Sequence, residues 1–339
     1  MNLQVAKNFI LSVMIVSSLS LKSQNIIDIH SHNVIKAQLD VLERHNALLE
    51  ETFPLPAWSV EAHIRFMDEA GIKKSLLSMP APQPYFGDSD ECCKVIRRYN
   101  QETAELKEKF KDRFIFCASL PLPDVEASIS EAIYALDTLK ADAIKLPTNS
   151  RGQYLGDKEL DELMEVLNKR SAVIIIHPHK PVPVNDSIIQ ITPLAMYEYP
   201  AETTRAVVNM ISGNVLARYP NVKVVVPHCG SFLPLAIPRM KAIHQAMLNK
   251  GLMEDLDWEE NLSKLYYDLA GMPTLEIIKM MLTITTVDHL LYGSDYPYQP
   301  SKVLQSNIVK LKDVLASDDD LNMWVDDVLY KNAQKLFYK

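Results

Sequence analysis

Short apolar runs rich in β-branched residues recur along the chain, and longer segments with the 3.6-residue period of helices separate them. The apolar runs predict eight strands at residues 26–30, 73–79, 114–119, 143–146, 172–177, 222–227, 265–269 and 290–293. The periodic segments predict eight helices at residues 59–70, 91–110, 125–139, 157–169, 201–216, 232–249, 274–283 and 301–316. Ser59 and Gly71 are the residue types preferred at the two ends of a helix, which supports the first of these helices.

The strict alternation of strand and helix determines the fold class. Parallel neighbouring strands require crossover connections, and a helix after every strand supplies them. Eight such units fit a single (β/α)8 TIM barrel of the α/β class, which carries its functional site at the C-terminal face of the strands. A doubly wound open sheet is the rival fold, but no Gly-rich phosphate-binding motif follows any predicted strand.

Two connections are unusually long. Residues 33–58 follow the first strand and residues 180–200 follow the fifth, and both are rich in Pro and aromatic residues, with no convincing regular structure. Loops of this length in a compact domain are usually functional. Both leave the C-terminal ends of strands, so we expect them to border the site.

The first 24 residues differ from the rest of the chain. Residues 8–21 are apolar and dotted with Ser, and Lys7 precedes them. The stretch is too short to span a membrane but matches the apolar region of a secretory signal, with a cleavage point at residues 18–20 or at the junction of Ser23 and Gln24. We therefore expect an exported protein with a barrel domain over residues 25–339. An N-terminal helix on a cytoplasmic protein is the alternative.

Charge and cysteine content exclude some classes of function. Lys and Arg number 35 against 43 Asp and Glu, for a net charge of −8, and no basic run appears. Nucleic acid is therefore a poor partner. The four Cys form no CxxC pair, so a disulfide framework or a thiolate zinc site is not expected.

Polar side chains follow four of the predicted strands. His30 ends the first strand and His32 follows it, and His177 ends the fifth strand. His228 follows the sixth strand and Asp295 comes shortly after the eighth. Because the ends of parallel barrel strands lie at one level, these groups should converge at the barrel mouth. Imidazoles and a carboxylate suit Zn²⁺ with one open position, and Mn²⁺ or Fe²⁺ would accept the same ligands.

The other histidines are not expected to be metal ligands. His179, two residues after His177, is expected close to the site. We interpret His45, His63, His244 and His289 as surface or packing residues, because they lie in predicted helices or just before a strand.

Six motifs occur together along the barrel. They are IDIHSH (27–32), IKLPTNSRGQYLGD (144–157), VIIIHPH (173–179), EYPAETTRAVV (198–208), VVVPHCGSFLP (224–234) and YGSDYPY (292–298). In combination they resemble the amidohydrolase superfamily. The resemblance is strongest to its branch of aminocarboxymuconate-semialdehyde and 6-methylsalicylate-type decarboxylases.

The resemblance implies roles for particular residues. It makes His30, His32, His177 and Asp295 the ligands of a single divalent metal. It makes His228 the residue that handles a proton or activates metal-bound water.

The resemblance also implies contacts with the substrate. Arg239 matches a family arginine that binds the substrate carboxylate, in some members across a dimer interface. Tyr298 and Trp58 are expected to contact the substrate. Lys145 on the fourth strand is expected to be a charge inside the barrel near the metal carboxylate, without being a ligand.

The implied function is metal-dependent, non-oxidative decarboxylation of a small aromatic or enol carboxylic acid. A metal would polarise the substrate, and His228 or Asp295 would deliver a proton to the carbon that loses CO₂. An apolar lid would keep the site dry; its candidates are Phe53, Trp58, Tyr85, Phe86, Met196 and Tyr197.

Two other functions remain open. A metal-dependent amidohydrolase or lactonase would use the same ligands to make a metal hydroxide, and export would favour it. A non-catalytic metal-binding or scaffold protein is the second alternative. Release of CO₂ during turnover distinguishes a decarboxylase from both.

The start of the predicted helix 232–249 points to a partner. Residues 232–238 (FLPLAIP) are apolar nearly all round, whereas a barrel helix normally shows water a polar face. We therefore expect a homodimer that covers this helix and brings Arg239 close to the neighbouring site. The alternative is that the loop 33–58 of the same chain covers it.

Overall fold

Eight short parallel strands, in the order in which they occur along the chain, form a nearly closed barrel. The computed structural model describes residues 25–183, 193–271 and 273–338. The strands are β1 (Ile26–Asp28), β2 (Ile72–Leu77), β3 (Phe114–Ala118), β4 (Ala143–Pro147), β5 (Val173–His177), β6 (Lys223–Val226), β7 (Leu265–Asp268) and β8 (Leu290–Leu291). All eight predicted strands are present, and the barrel class is confirmed.

Helices surround the strands. They are α1 (Lys36–Arg44), α2 (Val60–Ala70), α3 (Ser89–Lys109), α4 (Val125–Ile133), α5 (Asp161–Lys169), α6 (Leu194–Ser212), α7 (Val215–Arg218), α8 (Leu233–Leu248), α9 (Trp258–Ser263), α10 (Leu275–Met281), α11 (Ser301–Ala316) and α12 (Asn332–Phe337). Short 3₁₀ and π-helical turns extend several of them, and a two-residue hairpin, Asn149–Ser150 with Gln153–Tyr154, follows β4.

The two long connections contain more helix than the sequence indicates. Helix α1 lies within residues 33–58, which were predicted to lack regular structure; its N-cap residue, Ile35, makes no side-chain cap, so the usual start signal is missing. Helix α6 begins at Leu194, seven residues before the predicted start. Pro200 lies inside this helix instead of preceding it. Both predictions were wrong at these points.

The local signals at α2 are confirmed. The side chain of Ser59 accepts a hydrogen bond from the backbone N–H of Ala62 at 3.2 Å, which satisfies one of the free donors at the helix start. Gly71 ends the helix at φ 75°, a conformation that side chains with a Cβ disfavour. The chain therefore turns directly from α2 into β2.

The barrel is sealed by contacts between its first and last strands. Beyond the ladder of β1, Ser31 pairs with Tyr296, and the N–H of His32 donates to the carbonyl of Tyr296 at 2.8 Å. A small cluster of apolar side chains, including Ile27, Ile115 and Val225, fills the interior, and a larger one joins the strands to the helices. The segments that follow β1 and β8 are therefore held side by side at the mouth.

Two of the sequence predictions lie outside the described residues. These are the secretory signal in residues 1–24 and part of the connection after β5, residues 184–192. Among the helices that the structure describes, none is both long and apolar enough to cross a bilayer.

Candidate metal centre

The structure brings four of the sequence-predicted residues together at the barrel mouth. His30 and His32 come from the segment after β1, His177 is the last residue of β5, and Asp295 follows β8. One ligand atom from each of the four lies within 4.8 Å of all the others. The three imidazoles are almost fully buried, whereas the Asp295 side chain is 30% exposed. This grouping is compact enough for one ion with a side open to the cavity.

Hydrogen bonds orient each imidazole with one nitrogen toward the cluster. The Nδ1 atom of His30 lies 2.8 Å from Asp268 Oδ2, that of His32 lies 3.0 Å from Ser78 Oγ, and that of His177 lies 3.0 Å from the carbonyl of Pro178. When Nδ1 carries the proton, Nε2 keeps its lone pair for a metal. Within the described structure, the buried Nε2 of His30 has no hydrogen-bond partner. Three imidazole nitrogens and a carboxylate therefore fit a divalent metal.

The electrostatics of the cluster keep three of its four groups in the forms that bind metals. His30 differs, because the carboxylates of Asp268 and Asp295 outweigh burial and raise its pKa well above its usual value. Burial lowers the pKa of His32 to about 4 and that of His177 well below its usual value, so both rings are neutral near pH 7. Burial alone would raise the pKa of Asp295. The charge of His30 and hydrogen bonds from the histidines outweigh burial and hold this pKa well below its usual range. Neutral imidazoles and an ionised carboxylate are the ligand forms.

Asp295 connects the cluster to His228. Its Oδ1 atom lies 3.1 Å from His32 Nε2 and 3.4 Å from His30 Nε2, while Oδ2 lies 3.8 Å from His228 Nε2. The imidazole of His228 is partly exposed to the cavity. A second kind of polar group, an imidazole that faces the cavity, therefore lies beside the four clustered residues.

Two buried carboxylates that sequence reasoning did not select hold the site together. Asp268 at the end of β7 accepts from the backbone N–H of His228 at 3.0 Å as well as contacting His30. Asp28 of β1 accepts from the backbone N–H of His30 and from both the N–H and the hydroxyl of Ser294. Asp268 ends the observed strand but lies one residue before the end of the strand predicted at 265–269, so a search of strand ends that allowed for this shift would have found it.

The backbone at the site is unusual. His228 and Asp295 have φ values of 55° and 59°, in the left-handed region that residues other than Gly rarely adopt. Next to Asp295, a Cβ at Gly293 would lie 2.8 Å from the Cβ of His30. Only Gly lets the segment after β8 approach the first strand so closely. Such local strain is typical of functional sites.

A cavity of about 660 Å³ opens beside the cluster. Its polar lining residues are His177, His228, Ser231, Asp295, Tyr298 and Gln299. The rest of the wall is mainly apolar or aromatic: Phe53, Ala195, Tyr199, Pro200, Phe232, Pro234, Leu235, Ala270, Pro273, Ile277 and Met280. The ring centroid of Tyr298 lies 5.4 Å from that of His32. The cavity suits a small organic molecule with one polar end.

Other residues predicted for the site lie elsewhere. The indole nitrogen of Trp58 donates to His63 Nδ1 at 3.1 Å, and Trp58 does not line the cavity. Arg239 is exposed on α8, outside the wall of this cavity. Lys145 is buried, with its ammonium nitrogen 3.2 Å from His179 Nε2, and it forms no ion pair with the metal carboxylate among the described contacts.

The expected lid is only partly present at the cavity. Of its six candidates, Phe53 lines the wall. Met196 and Tyr197 are exposed on α6, where Tyr197 contacts Phe232 at the mouth. Tyr85 and Phe86 contact Arg151 instead.

Similarity to known proteins agrees with the geometry of the site. The sequence profile of the amidohydrolase family matches residues 27–338. A decarboxylase from Aspergillus niger, yanB, is 31% identical over 300 residues, which cover 83% of this chain and 80% of the relative. The 6-methylsalicylic acid decarboxylase of Penicillium expansum is 28% identical, covering 81% of this chain and 85% of the relative.

Solved structures share the architecture. An amidohydrolase II crystal structure, 29% identical, superposes with a TM-score of 0.84 and covers 93% of this chain and 100% of the other. A dihydroxybenzoic acid decarboxylase from Polaromonas sp. JS666, with bound manganese and the inhibitor 2-nitroresorcinol, gives a TM-score of 0.75 at 18% identity. That match covers 92% of this chain and 96% of the other.

Proposed function

Because this chain belongs to the amidohydrolase family, we propose that it is a metal-dependent, non-oxidative decarboxylase of a small aromatic carboxylic acid. One observation carries the proposal: the compact cluster of His30, His32, His177 and Asp295 lies beside the His228 imidazole at one side of a largely apolar cavity. Decarboxylation needs a proton at the carbon that loses CO₂, and an apolar wall favours release of a neutral product.

The residues of the chain have defined tasks in this reaction. His228 donates a proton to the ring carbon that carries the carboxylate, whereas Asp295, held in its ionised form, serves as a metal ligand. The carbon–carbon bond then breaks, its electron pair returns to the ring, and CO₂ leaves; solvent at the open cavity restores the donor's proton. Tyr298 and Phe53, with ring centroids 5.6 Å apart, form an aromatic wall that orients the substrate ring.

We propose Zn²⁺ as the resident metal, with Mn²⁺ as the alternative. His30, His32, His177 and Asp295 would hold it, and three imidazole nitrogens with one carboxylate are a typical zinc set. When bound, the ion would act as a Lewis acid that polarises a substrate oxygen. The manganese in the Polaromonas relative makes the alternative worth testing in parallel.

The decisive experiment combines metal analysis with a substrate screen. Protein loaded separately with Zn²⁺ and Mn²⁺ is incubated with hydroxybenzoates, including 6-methylsalicylate, and with lactones, while CO₂ release and acid release are both followed. We expect CO₂ and the matching phenol from at least one acid, with no reaction of metal-free protein. Lactone opening without CO₂ from any acid would instead favour the hydrolase.

We also propose that the active form is a homodimer in which Arg239 binds the substrate carboxylate of the neighbouring subunit. Among the described residues that line the cavity, none is Lys or Arg, so no cationic side chain of the cavity wall can pair with the substrate carboxylate. Leu235 on α8 is 66% exposed, so the connection after β1 does not cover the helix start. An exposed apolar surface beside a site suits a partner subunit.

For residues 1–24 we propose a secretory signal that directs the barrel out of the cytoplasm. Their apolar, Ser-dotted pattern supports this. Fractionation of the source cells, with mass spectrometry of the mature N-terminus, tests it. A full-length protein confined to the cytoplasm would contradict it.

A further inference from the structure

A buried carboxyl group lies behind the cavity wall and takes no part in the metal cluster. Glu51 belongs to the segment that joins α1 to α2, and only 2% of its surface is exposed. Among the described residues, no Lys or Arg forms an ion pair with the Glu51 carboxylate. The nearby Lys180 Nζ instead pairs with Glu50, at 2.7 Å. A buried acid without a cation is costly, so its contacts require an explanation.

Those contacts join three parts of the cavity wall. Oε2 of Glu51 accepts from the hydroxyl of Tyr199 on α6 at 2.9 Å and from the backbone N–H of Lys180 after β5 at 3.0 Å. Oε1 lies 4.0 Å from His179 Nδ1. Glu51 therefore fixes α6 and the end of the metal-bearing strand β5 to the segment after β1.

Tyr199 is the contact that reaches the substrate cavity. Its ring lines the wall, with its centroid 6.3 Å from that of His177 and 6.4 Å from that of Phe53. Because the hydroxyl is held from behind by Glu51, the ring cannot rotate away without breaking a buried hydrogen bond. A buried hydrogen bond of this kind favours one position of the ring.

We propose that Glu51 is a positioning residue for the reaction, which holds the Tyr199 ring beside His177 as the surface against which an aromatic substrate lies. The inference rests on the proposed function, because it concerns the same cavity. Glu51 touches neither the substrate nor the metal ligands, and its effect passes through Tyr199.

Four variants and one control test the proposal: Glu51→Ala, Glu51→Gln, Tyr199→Phe, the double variant Glu51→Ala with Tyr199→Phe, and Glu50→Gln. Glu50 is the matched control, because Glu50→Gln loses a carboxylate one residue away, and among the described residues Glu50 forms ion pairs with Lys180 and Arg151 alone. Metal content, kcat and KM are measured on metal-loaded protein with the best aromatic acid from the screen.

We expect Glu51→Ala to raise KM about tenfold with a smaller change in kcat and unchanged metal content. Glu51→Gln keeps an oxygen that accepts the same two hydrogen bonds and should restore KM to within about threefold of the wild type. On the Tyr199→Phe background, Glu51→Ala should add little, because the contact is already absent. Glu50→Gln should behave as the wild type.

Three results would overturn the proposal. These are an unchanged KM in Glu51→Ala, fully additive effects in the double variant, and loss of metal in parallel with loss of activity. If Glu51→Ala does not fold, the KM of Tyr199→Phe tests the proposal. A raised KM in this variant supports the positioning role of Glu51, and an unchanged KM contradicts it.

Failure of the proposed function would look different. The wild type would then release no CO₂ from any acid, and binding of salicylate, measured by calorimetry, replaces KM. Weaker binding in Glu51→Ala but not in Glu51→Gln still supports Glu51. Equal binding in all variants, or none in the wild type, overturns it.

Discussion

Each histidine of the metal cluster at the barrel mouth is held by a hydrogen bond at Nδ1, which leaves its Nε2 atom directed toward the cluster. His30 illustrates this, because Asp268 contacts its Nδ1, whereas its buried Nε2 makes no hydrogen bond with any of the described residues. Leaving a buried nitrogen without a hydrogen bond costs free energy in a protein without metal, whereas a bound metal would use that nitrogen as a ligand. The consequences of removing individual groups can therefore be stated.

Replacing His30, His32 or Asp295 by Ala should remove most of the bound metal and the activity while the barrel stays folded. These groups bind the ion from a scaffold that the remaining strands hold in place. Elemental analysis after gel filtration and far-UV circular dichroism check the two parts. Full metal occupancy in two of the three variants would contradict the ligand assignment.

His228→Asn should retain the metal and lower kcat by about 10²–10⁴-fold, the usual contribution of a general acid or base. Its side chain lines the cavity, and no atom of it belongs to the four-residue cluster. Steady-state kinetics and metal analysis of the same sample make the test. Loss of metal together with activity would make His228 a ligand.

The pH dependence of stability should reveal the buried carboxyl of Glu51. Burial, with a smaller contribution from Glu50, raises its pKa from 4.5 to about 7, although Tyr199 and Lys180 act in the opposite direction. Lys145 and His179 also face it. Below pH 4.5 the group is protonated in both states and its contribution is fully present. As the pH rises to 7, only the unfolded chain ionises freely, so stability is lost.

Wild-type protein should therefore lose stability relative to Glu51→Gln between pH 5 and pH 8, by on the order of 2–3 kcal/mol. Urea unfolding of both proteins at the two pH values, with metal present, measures the difference. A constant difference would show that Glu51 titrates normally.

At the scale of strands and helices, the sequence predicts what depends on local pattern. The apolar run that ends at His177 and the cap pair Ser59 and Gly71 each contain their own signal, and each element lies where it was expected. Helix α1 has no capping side chain, and the sequence pattern did not predict it. The predicted start of α6 was too late, because Pro favours the first position of a helix and Pro200 was therefore placed before it.

The cap of α2 offers a test at this scale. Ser59→Ala removes the acceptor for the N–H of Ala62 and should reduce the free energy of unfolding by about 1 kcal/mol. Ser59→Asp keeps an acceptor and should lose much less. Chemical denaturation of the three proteins measures both. Equal losses in Ala and Asp would mean that the cap does not contribute.

The candidate site was predictable only where it follows strand ends. His30, His177 and Asp295 could be placed because parallel strands finish at one level. Residues that act through the tertiary structure could not: Glu51 lies in a connection whose path is set by contacts with Tyr199, 148 positions away. Trp58 was selected for its type, and the structure uses its indole to contact His63.

At the scale of the whole molecule, the predicted homodimer can be tested in two steps. Light scattering should give a dimer at micromolar concentration, because the exposed apolar residues at the start of α8 favour association. Mixing Arg239→Ala with His30→Ala should restore part of the activity, since one site in the mixed dimer then has both groups. A fully active monomer, or a mixture without any recovery, would contradict the respective step.

The metal-ligating residues come from opposite ends of the barrel sequence, His30 after the first strand and Asp295 after the last. An ion at this place cross-links the seam of the barrel and closes a loop of about 265 residues. Ordering so long a loop carries a large entropic cost, which a bound ion offsets in the folded state. The site also cannot exist until nearly the whole chain has been synthesised. If the chain crosses a membrane unfolded, it therefore acquires its metal only at its destination.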